Sequence, residues 1–323
     1  AKALVKENIH VDLVSLNKNK KINDSRTLGI SRTNFKFINE NLINIEKIVW
    51  KLKKIEIFTD NLKNEKVLNF EKKQEQLFSI LKNSELYKLL DKNLTKNVFF
   101  KKINFEKKLL GLEEYNLIIN TENSNFLTRK FFNKNIIKTY NSTAYTTIIR
   151  HEKIPNKVAI QIFTKRGPLA FLPISETETS IVYSVHKSKY DSIEKVTDLI
   201  NFYNFKYKIK KIGKIESFEL KSFHLRSYYY KNILAFGDLL HRVHPLAGQG
   251  FNMTIRDIII FVEIIKNKIS LGLPLDQSIN LEFQKKMRHR NLIFSTGVDL
   301  LYEIFNFERK LKSNFLSKSI KFF

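Results

Sequence analysis

Backbone freedom is scarce in this chain, and where it is placed constrains the fold more than any other feature. Of nine glycines in 323 residues, three (Gly237, Gly248 and Gly250) fall in one segment, "FGDLLHRVHPLAGQGFNMTIRD", residues 236–257. Glycine tolerates left-handed backbone and lets the main chain approach a neighbour without a Cβ in the way. "NILAFGD" reads as a short buried strand that delivers Gly237 and Asp238 to its carboxyl end, the place where open α/β sheets bind ligands. Asp238 suits the hydroxyls of a sugar-like ligand. Gly248 and Gly250 clear an approach for a flat or phosphorylated group, and the helix "TIRDIIIFVEIIKNKI" aims its amino-terminal N–H groups at that group. An ordinary loop and helix start would account for Gly-Gln-Gly alone. It does not account for the whole string, with its His-Pro and Asn.

The remaining pattern brackets a β-rich block between helix–strand segments. "AKALVKENIHVDLVSLN" reads as the end of a helix followed by a strand, and "SRTNFKFINENLI" as a helix capped by Ser31, with Phe35, Ile38 and Leu42 on one face. "KIEIFTDN" and "KVLNFE" read as strands, "QEQLFSILKNSELYKLLDKNL" as one or two amphipathic helices, and "NVFFKKINFEKKLLGLEEYNLIIN" as three short strands. From residue 140 to 223, "STAYTTIIRHE", "KVAIQIFTKRGPLAFLPIS" and "TSIVYSVHK" suit an antiparallel sheet with the first two as neighbours. "DSIEKVTDLINFYNF" interrupts them as a helix. Residues 276–323 read as helical and basic.

Composition narrows the function classes. A 43% apolar fraction with 27 Phe and 12 Tyr supports sizeable cores, and no run is long enough to read as a spanning helix. Without cysteine there is no disulfide framework, no Cys-x-x-Cys metal site and no thiol nucleophile. The net charge of +25 has three readings: a lysine-rich compositional bias, an anionic membrane surface, or nucleic acid. The lysines are spread along the chain and interleaved with Asn and Glu, and no nucleic-acid motif accompanies them, so nucleic acid ranks last. His241 and His244 stand three apart without a carboxylate pair, which favours a role in the loop over a metal site, and no metal is expected.

The string "GDLLHRVHPLAGQGFNMTIRD" resembles the second flavin fingerprint of monooxygenases of the para-hydroxybenzoate-hydroxylase type, most closely the ubiquinone-biosynthesis hydroxylases (UbiH/UbiF type). Support extends through "YNSTAYTTIIRHEKIPNKVAIQIFTKRGPLAFLPIS", similar to the family's substrate-domain strands, and through "DSRTLGIS". The resemblance implies an α/β fold: a Rossmann-like FAD-binding domain truncated at its amino terminus, an inserted antiparallel substrate domain and carboxy-terminal helices. It divides the chain into a flavin domain (1–45, 70–132 and 224–275), a substrate domain (46–69 and 133–223) and a helical region (276–323). Gly237 and Asp238 would meet the ribityl and pyrophosphate part of FAD. Pro245, Gly248, Gln249 and Gly250 would lie along the flavin ring, with His244 in the flavin loop, Asn252 would start the helix beneath it, and Arg26 would approach the flavin side. The implied reaction hydroxylates the ring of a polyprenyl phenol, a ubiquinone precursor, with NAD(P)H as donor and O2 as oxidant. No catalytic side chain is named, because the cofactor carries that chemistry. The implied setting is cytoplasmic and peripheral on the inner membrane face, with other quinone-biosynthesis proteins as partners.

The resemblance fails in the amino-terminal and middle fingerprints. It calls for a Gly-x-Gly-x-x-Gly turn after an opening strand, and no placement of the nine glycines gives that spacing. Ser15 occupies the position of an acidic ribose ligand. "NTENSNFLTR" stands where a Gly-Ala-Asp-Gly fingerprint is expected, so that Asn120, Thr121, Glu122 and Asn123 replace its four residues and Arg129 alone is kept. A fragment of a longer protein and a diverged, non-catalytic paralogue that binds prenyl lipids or forms complexes are both open on these grounds.

Overall fold

The computed structural model describes residues 1–15, 25–60, 65–71, 76–104, 114–186, 193–243 and 249–311. Helix α1 (Lys2–Lys6) leads into β1 (Val11–Ser15). β2 (Thr27–Ser31) runs into α2 (Arg32–Phe37), where Ser31 Oγ accepts from the Asn34 N–H at 3.4 Å, and a π turn (Ile38–Leu42) follows. Next come β3 (Trp50–Leu52), β4 (Lys54–Thr59), β5 (Glu65–Glu71), β6 (Phe78–Lys82), α3 (Asn83–Leu94), β7 (Phe100–Asn104), β8 (Ile118–Asn120) and α4 (Phe126–Phe131). The long central strands are β9 (Asn135–His151), β10 (Val158–Thr164), β11 (Gly167–Pro173) and β12 (Glu178–His186). They are followed by α5 (Ile193–Tyr203), β13 (Ile209–Ile212) and β14 (Glu216–Leu225). β15 (Tyr229–Tyr230), β16 (Ile233–Ala235), β17 (His241–Arg242), α6 (Gln249–Ser270) and α7 (Gln277–Leu311) complete the described chain.

The large sheet runs in the order β17-β14-β9-β12-β11-β10-β4-β5, with β13 also paired to β9. The strands between residues 135 and 225 pair antiparallel throughout, as the sequence suggested, and β4, from outside that block, makes the sheet mixed by pairing parallel with β10. β9 and β10 share the sheet but are not neighbours, since β12 and β11 lie between them. Two consecutive hairpins, β10–β11 and β11–β12, impose this order. At the first, Gly167 has φ +136°, and a Cβ there would sit 2.0 Å from Ser184 O. The apolar face of the sheet is covered by α5, whose Val196, Ile200 and Tyr203 recur at helical spacing against Ile162, Phe171 and Ile181.

A second correction concerns residues 78–82, expected in a helix. "FSILK" instead forms β6, the middle strand of a three-stranded sheet with β2 and β3, and the helix begins only at Asn83. Ser79, Ile80 and Leu81 are buried consecutively, as a strand covered on both faces requires. Of the three strands expected between residues 97 and 120, β7 and β8 are present, and residues 105–113 lie outside the described segments. β1 and β7 form a parallel pair of their own, while β8, β16 and β15 form a third small sheet. Within residues 46–69, β4 and β5 join the large sheet, and β3 pairs with β6.

The connector 152–157, which must pass the β11–β12 turn to reach β10, is fixed by a buried polar network. Asn156, fully buried, donates from Nδ2 to Thr179 Oγ1 and Ser175 O, both at 2.9 Å, and its Oδ1 accepts from Tyr207 Oη at 3.1 Å. Its carbonyl accepts from Trp50 Nε1 at 2.6 Å, which ties β3 to the large sheet. Removing this amide strands several buried polar groups at once. Asn156→Ala is therefore expected to cost about 2–4 kcal/mol in urea denaturation, and a loss below about 0.5 kcal/mol would contradict the assignment.

The small sheet also docks on the large one through Thr27 Oγ1 and Ser180 Oγ (2.8 Å) and through Glu178, which meets Lys82 Nζ at 2.9 Å and Arg150 Nε at 3.1 Å. Burial alone would raise the Glu178 carboxyl, but the hydrogen bond and charge of Lys82, then Arg150, hold it below its ordinary value of 4.5. A carboxyl depressed on folding adds stability above pH 4.5 that is lost as pH falls through the folded value. Melting temperatures of Glu178→Gln are expected to fall less steeply than those of the parent below pH 4.5. Parallel acid limbs would contradict this.

Candidate flavin site

The glycine-rich segment begins on β16, whose Ile233, Leu234 and Ala235 are all buried, so the strand is fixed by packing against α6 and α7 before the turn starts. Gly237 then takes φ +62°, a left-handed conformation. A Cβ there would meet no atom within 4 Å, so the demand for glycine is conformational rather than spatial. Asp238, next in line, is exposed, and its carboxylate forms no hydrogen bond or ion pair with another described residue. His244, Pro245 and Gly248 lie outside the described residues. Gln249 and Gly250 open α6 half-buried, and a Cβ at Gly250 would likewise have nothing within 4 Å.

Asn252 does something the sequence did not foretell. Its Nδ2 donates to Gly29 O at 3.0 Å, and its Oδ1 accepts from the Ser31 N–H at 2.9 Å and from Asn34 Nδ2 at 2.8 Å. Asn34 Nδ2 also donates to the Asn252 carbonyl at 3.1 Å. The side chain thus fastens the first turn of α6 to β2 and α2, more than 200 residues earlier in the chain. β2 is the strand that Arg26 precedes. Arg26 is exposed, three residues before Gly29 and thus about 10 Å along the chain from the clamp. It forms no ion pair with another described residue.

His241 is not a loop residue. It is 2% exposed, faces inward, and its Nε2 pairs with Asp257 Oδ2 on α6. Asp257 Oδ1 accepts from Asn291 Nδ2 at 3.2 Å, and Asn291 Oδ1 accepts from Arg256 at 2.9 Å, so α6 and α7 are joined by a buried polar chain at the base of the site. No group of three or more His, Cys, Asp or Glu side chains suited to a metal ion occurs among the described residues. The sequence carried a signal for this chain: Asp257 interrupts an apolar helical run on its buried face.

The turn after β8 lies beside Gly237, because β8 and β16 run parallel with Asn120 opposite Ala235, and Asn120 O accepts from the Phe236 N–H at 2.9 Å. This turn is closed on itself. Asn120 Nδ2 donates to Thr128 Oγ1 at 2.9 Å, Asn125 Nδ2 donates to Asn120 Oδ1 at 2.8 Å, and Asn125 Oδ1 caps α4 by accepting from the Thr128 N–H at 2.9 Å. Arg129 is exposed on α4. Ser15 ends β1 beside Asn104 of β7, in the separate two-stranded sheet.

Compared with solved structures, the chain has the fold of the FAD-dependent aromatic monooxygenases. It superposes on Pseudomonas aeruginosa PqsL in complex with 2-aminobenzoylacetate with a TM-score of 0.74 at 13% identity, covering 96% of this chain and 93% of that one. Against Klebsiella pneumoniae HpxO complexed with FAD and uric acid the TM-score is 0.74 at 12% identity, covering 99% and 89%. In sequence the chain is similar to ubiquinone-biosynthesis hydroxylases over about half its length. It is 29% identical over 171 residues to the 3-demethoxyubiquinol 3-hydroxylase of Escherichia coli strain K12, covering 49% of this chain and 42% of that protein. It is 25% identical over 233 residues to the mitochondrial ubiquinone biosynthesis monooxygenase COQ6 of Danio rerio, covering 59% and 48%. The chain thus spans about half the length of the curated relatives it matches. No family model matches it.

The clamp can be tested apart from any ligand. Asn252→Ala removes the acceptor of the Ser31 amide and the partner of buried Asn34. It is expected to lower stability by about 2–4 kcal/mol and to speed exchange of the Ser31 amide hydrogen. An unchanged Ser31 exchange rate would refute the clamp.

Proposed function

We propose that this chain is a flavin-dependent hydroxylase acting on the aromatic ring of a polyprenylated ubiquinone precursor, with FAD as cofactor and NAD(P)H and O2 as co-substrates. The observation that carries the reading is the platform made by Gly237, Asp238 and the start of α6, locked to β2 through Asn252. Its parts fit a flavin. Asp238 offers an exposed carboxylate for ribityl hydroxyls, the opening at Gly250 leaves room for a flat ring, and the α6 amino terminus favours negative charge. Residues 245–250 would lie along the ring, with Arg26 approaching from just before β2. Bound flavin would supply the oxygen chemistry, leaving binding, orientation and exclusion of water to the protein.

The same reading sets a limit on affinity. The turn at 120–125 satisfies its polar groups internally, and the sequence contains no Gly-x-Gly-x-x-Gly turn, so the adenine half of FAD has little to hold it. The chain as given is expected to bind FAD more weakly than micromolar.

Calorimetric titration of FAD into the parent, Asp238→Ala and Lys208→Ala chains tests the placement. Losing the Asp238 acceptor should weaken binding about 5- to 100-fold, whereas Lys208, whose side chain is 84% exposed, should change it little. Equal loss in both variants would displace the flavin from this site. Failure to bind FAD at any concentration, together with retention of a prenyl phenol, would instead favour the non-catalytic paralogue. Incorporation of one oxygen atom into a prenyl phenol by a flavin-loaded preparation tests the reaction itself.

A further inference from the structure

We propose that the middle of α7, residues 291–300, is a docking face for an anionic lipid surface. Ordinary surface helices bury their apolar stripe and expose their polar one. Between residues 291 and 303, α7 is partly reversed. Its inward positions include Asn291 and Ser295, each 1% exposed, and Asp299. Asn291 bonds Asp257 and Arg256, Tyr140 donates its hydroxyl to Asp299, and Lys138 pairs with Glu303 at 3.0 Å. Of this segment's described apolar side chains, Phe294 and Val298 help fill the small core cluster beneath it.

Outward, Leu292, Ile293 and Leu300 are 51%, 60% and 59% exposed, with Thr296 and Gly297 between them. Ile293 and Leu300 stand two helical turns apart, and Leu292 adjoins Ile293, so all three lie on one side of the helix. An apolar stripe on the outside of a helix held by polar contacts on the inside requires an apolar partner.

Charge decides which partner. Exposed Lys285, Arg288 and Arg290 flank the stripe on its amino-terminal side, and the chain carries +25 overall. The acidic residues Glu282 and Glu303 on this helix are engaged, by Lys286 at 3.1 Å and by Lys138. Basic residues beside a half-exposed apolar stripe match anionic headgroups over acyl chains, with each cation adding attraction near the surface. A second copy is a poorer match, because two chains of +25 repel each other. No described helix is long and apolar enough to cross a membrane, so α7 would lie on the surface. The inference stands apart from the hydroxylase reading, since it needs neither flavin nor substrate.

Co-sedimentation of the full chain with phosphatidylcholine vesicles, with and without phosphatidylglycerol, tests it. The parent should partition onto the anionic vesicles and far less onto the neutral ones. The triple variant Leu292→Gln, Ile293→Gln, Leu300→Gln should lose about tenfold or more, whereas Phe202→Gln on α5, a still more exposed apolar site elsewhere, should not change partitioning. Because all three side chains are already exposed, circular dichroism should show the triple variant folded. Should it fail to fold, Ile293→Trp gives an independent reading, with blue-shifted added emission on anionic vesicles. Equal partitioning of parent and triple variant, or an unshifted added emission from Ile293→Trp, would overturn the proposal. So would a concentration-dependent dimer in sedimentation equilibrium that the triple substitution abolishes, since that assigns the stripe to a second copy.

Discussion

The candidate site depends on one side-chain amide. Asn252 sits in the first turn of α6, yet its oxygen and nitrogen are spent on Gly29, Ser31 and Asn34, residues of a strand and helix formed from the beginning of the chain. A buried amide with its partners in place is worth most when removing it would strand several groups together, which is the situation here. The clamp fixes the direction in which α6 leaves the glycine-rich loop and the height at which β2 stands beside it. Gly237 and Asp238 need no such help, because β16 is packed on the core beneath them. The outcome is a platform whose geometry is set by protein–protein bonds before any ligand arrives, the condition under which binding energy is not consumed in ordering the site.

A second polar layer lies below the first. His241, Asp257, Asn291 and Arg256 link β17, α6 and α7, and with Asp299 they let α7 rest on polar groups between residues 291 and 299. The end of β17 is thereby anchored on α6, and the exposed apolar side chains of α7 face outward. The candidate site and the outward stripe thus share α6 as their common support.

Much of the architecture was legible because its signals are local. The string at 236–257, the cap at Ser31, the amphipathic spacing of α5 and the long strands β9 to β12 all follow from neighbouring residues. What was not legible depends on distant pairing. "FSILK" carries helix-like neighbours, and only β2 and β3 on either side make it a strand. β9 and β10 are adjacent in sequence but are separated in the sheet by two hairpins, whose priority cannot be read from either strand alone. Asn252 looked like a helix start because its partners stand 218 to 223 residues away. His241 looked like part of the loop because nothing nearby announces Asp257 as its partner.

The central claim is that the segment from Phe236 to Asn252 and the strand it clamps form one ligand platform. Hydrogen exchange followed by mass spectrometry, with saturating FAD added to the full chain, tests it most directly. Ligand bound there should slow exchange in peptides covering residues 236–252 and 27–31 together, and leave the self-satisfied turn at 120–125 little changed. Slowing confined to residues 120–125, or protection of 236–252 without any at 27–31, would contradict the account.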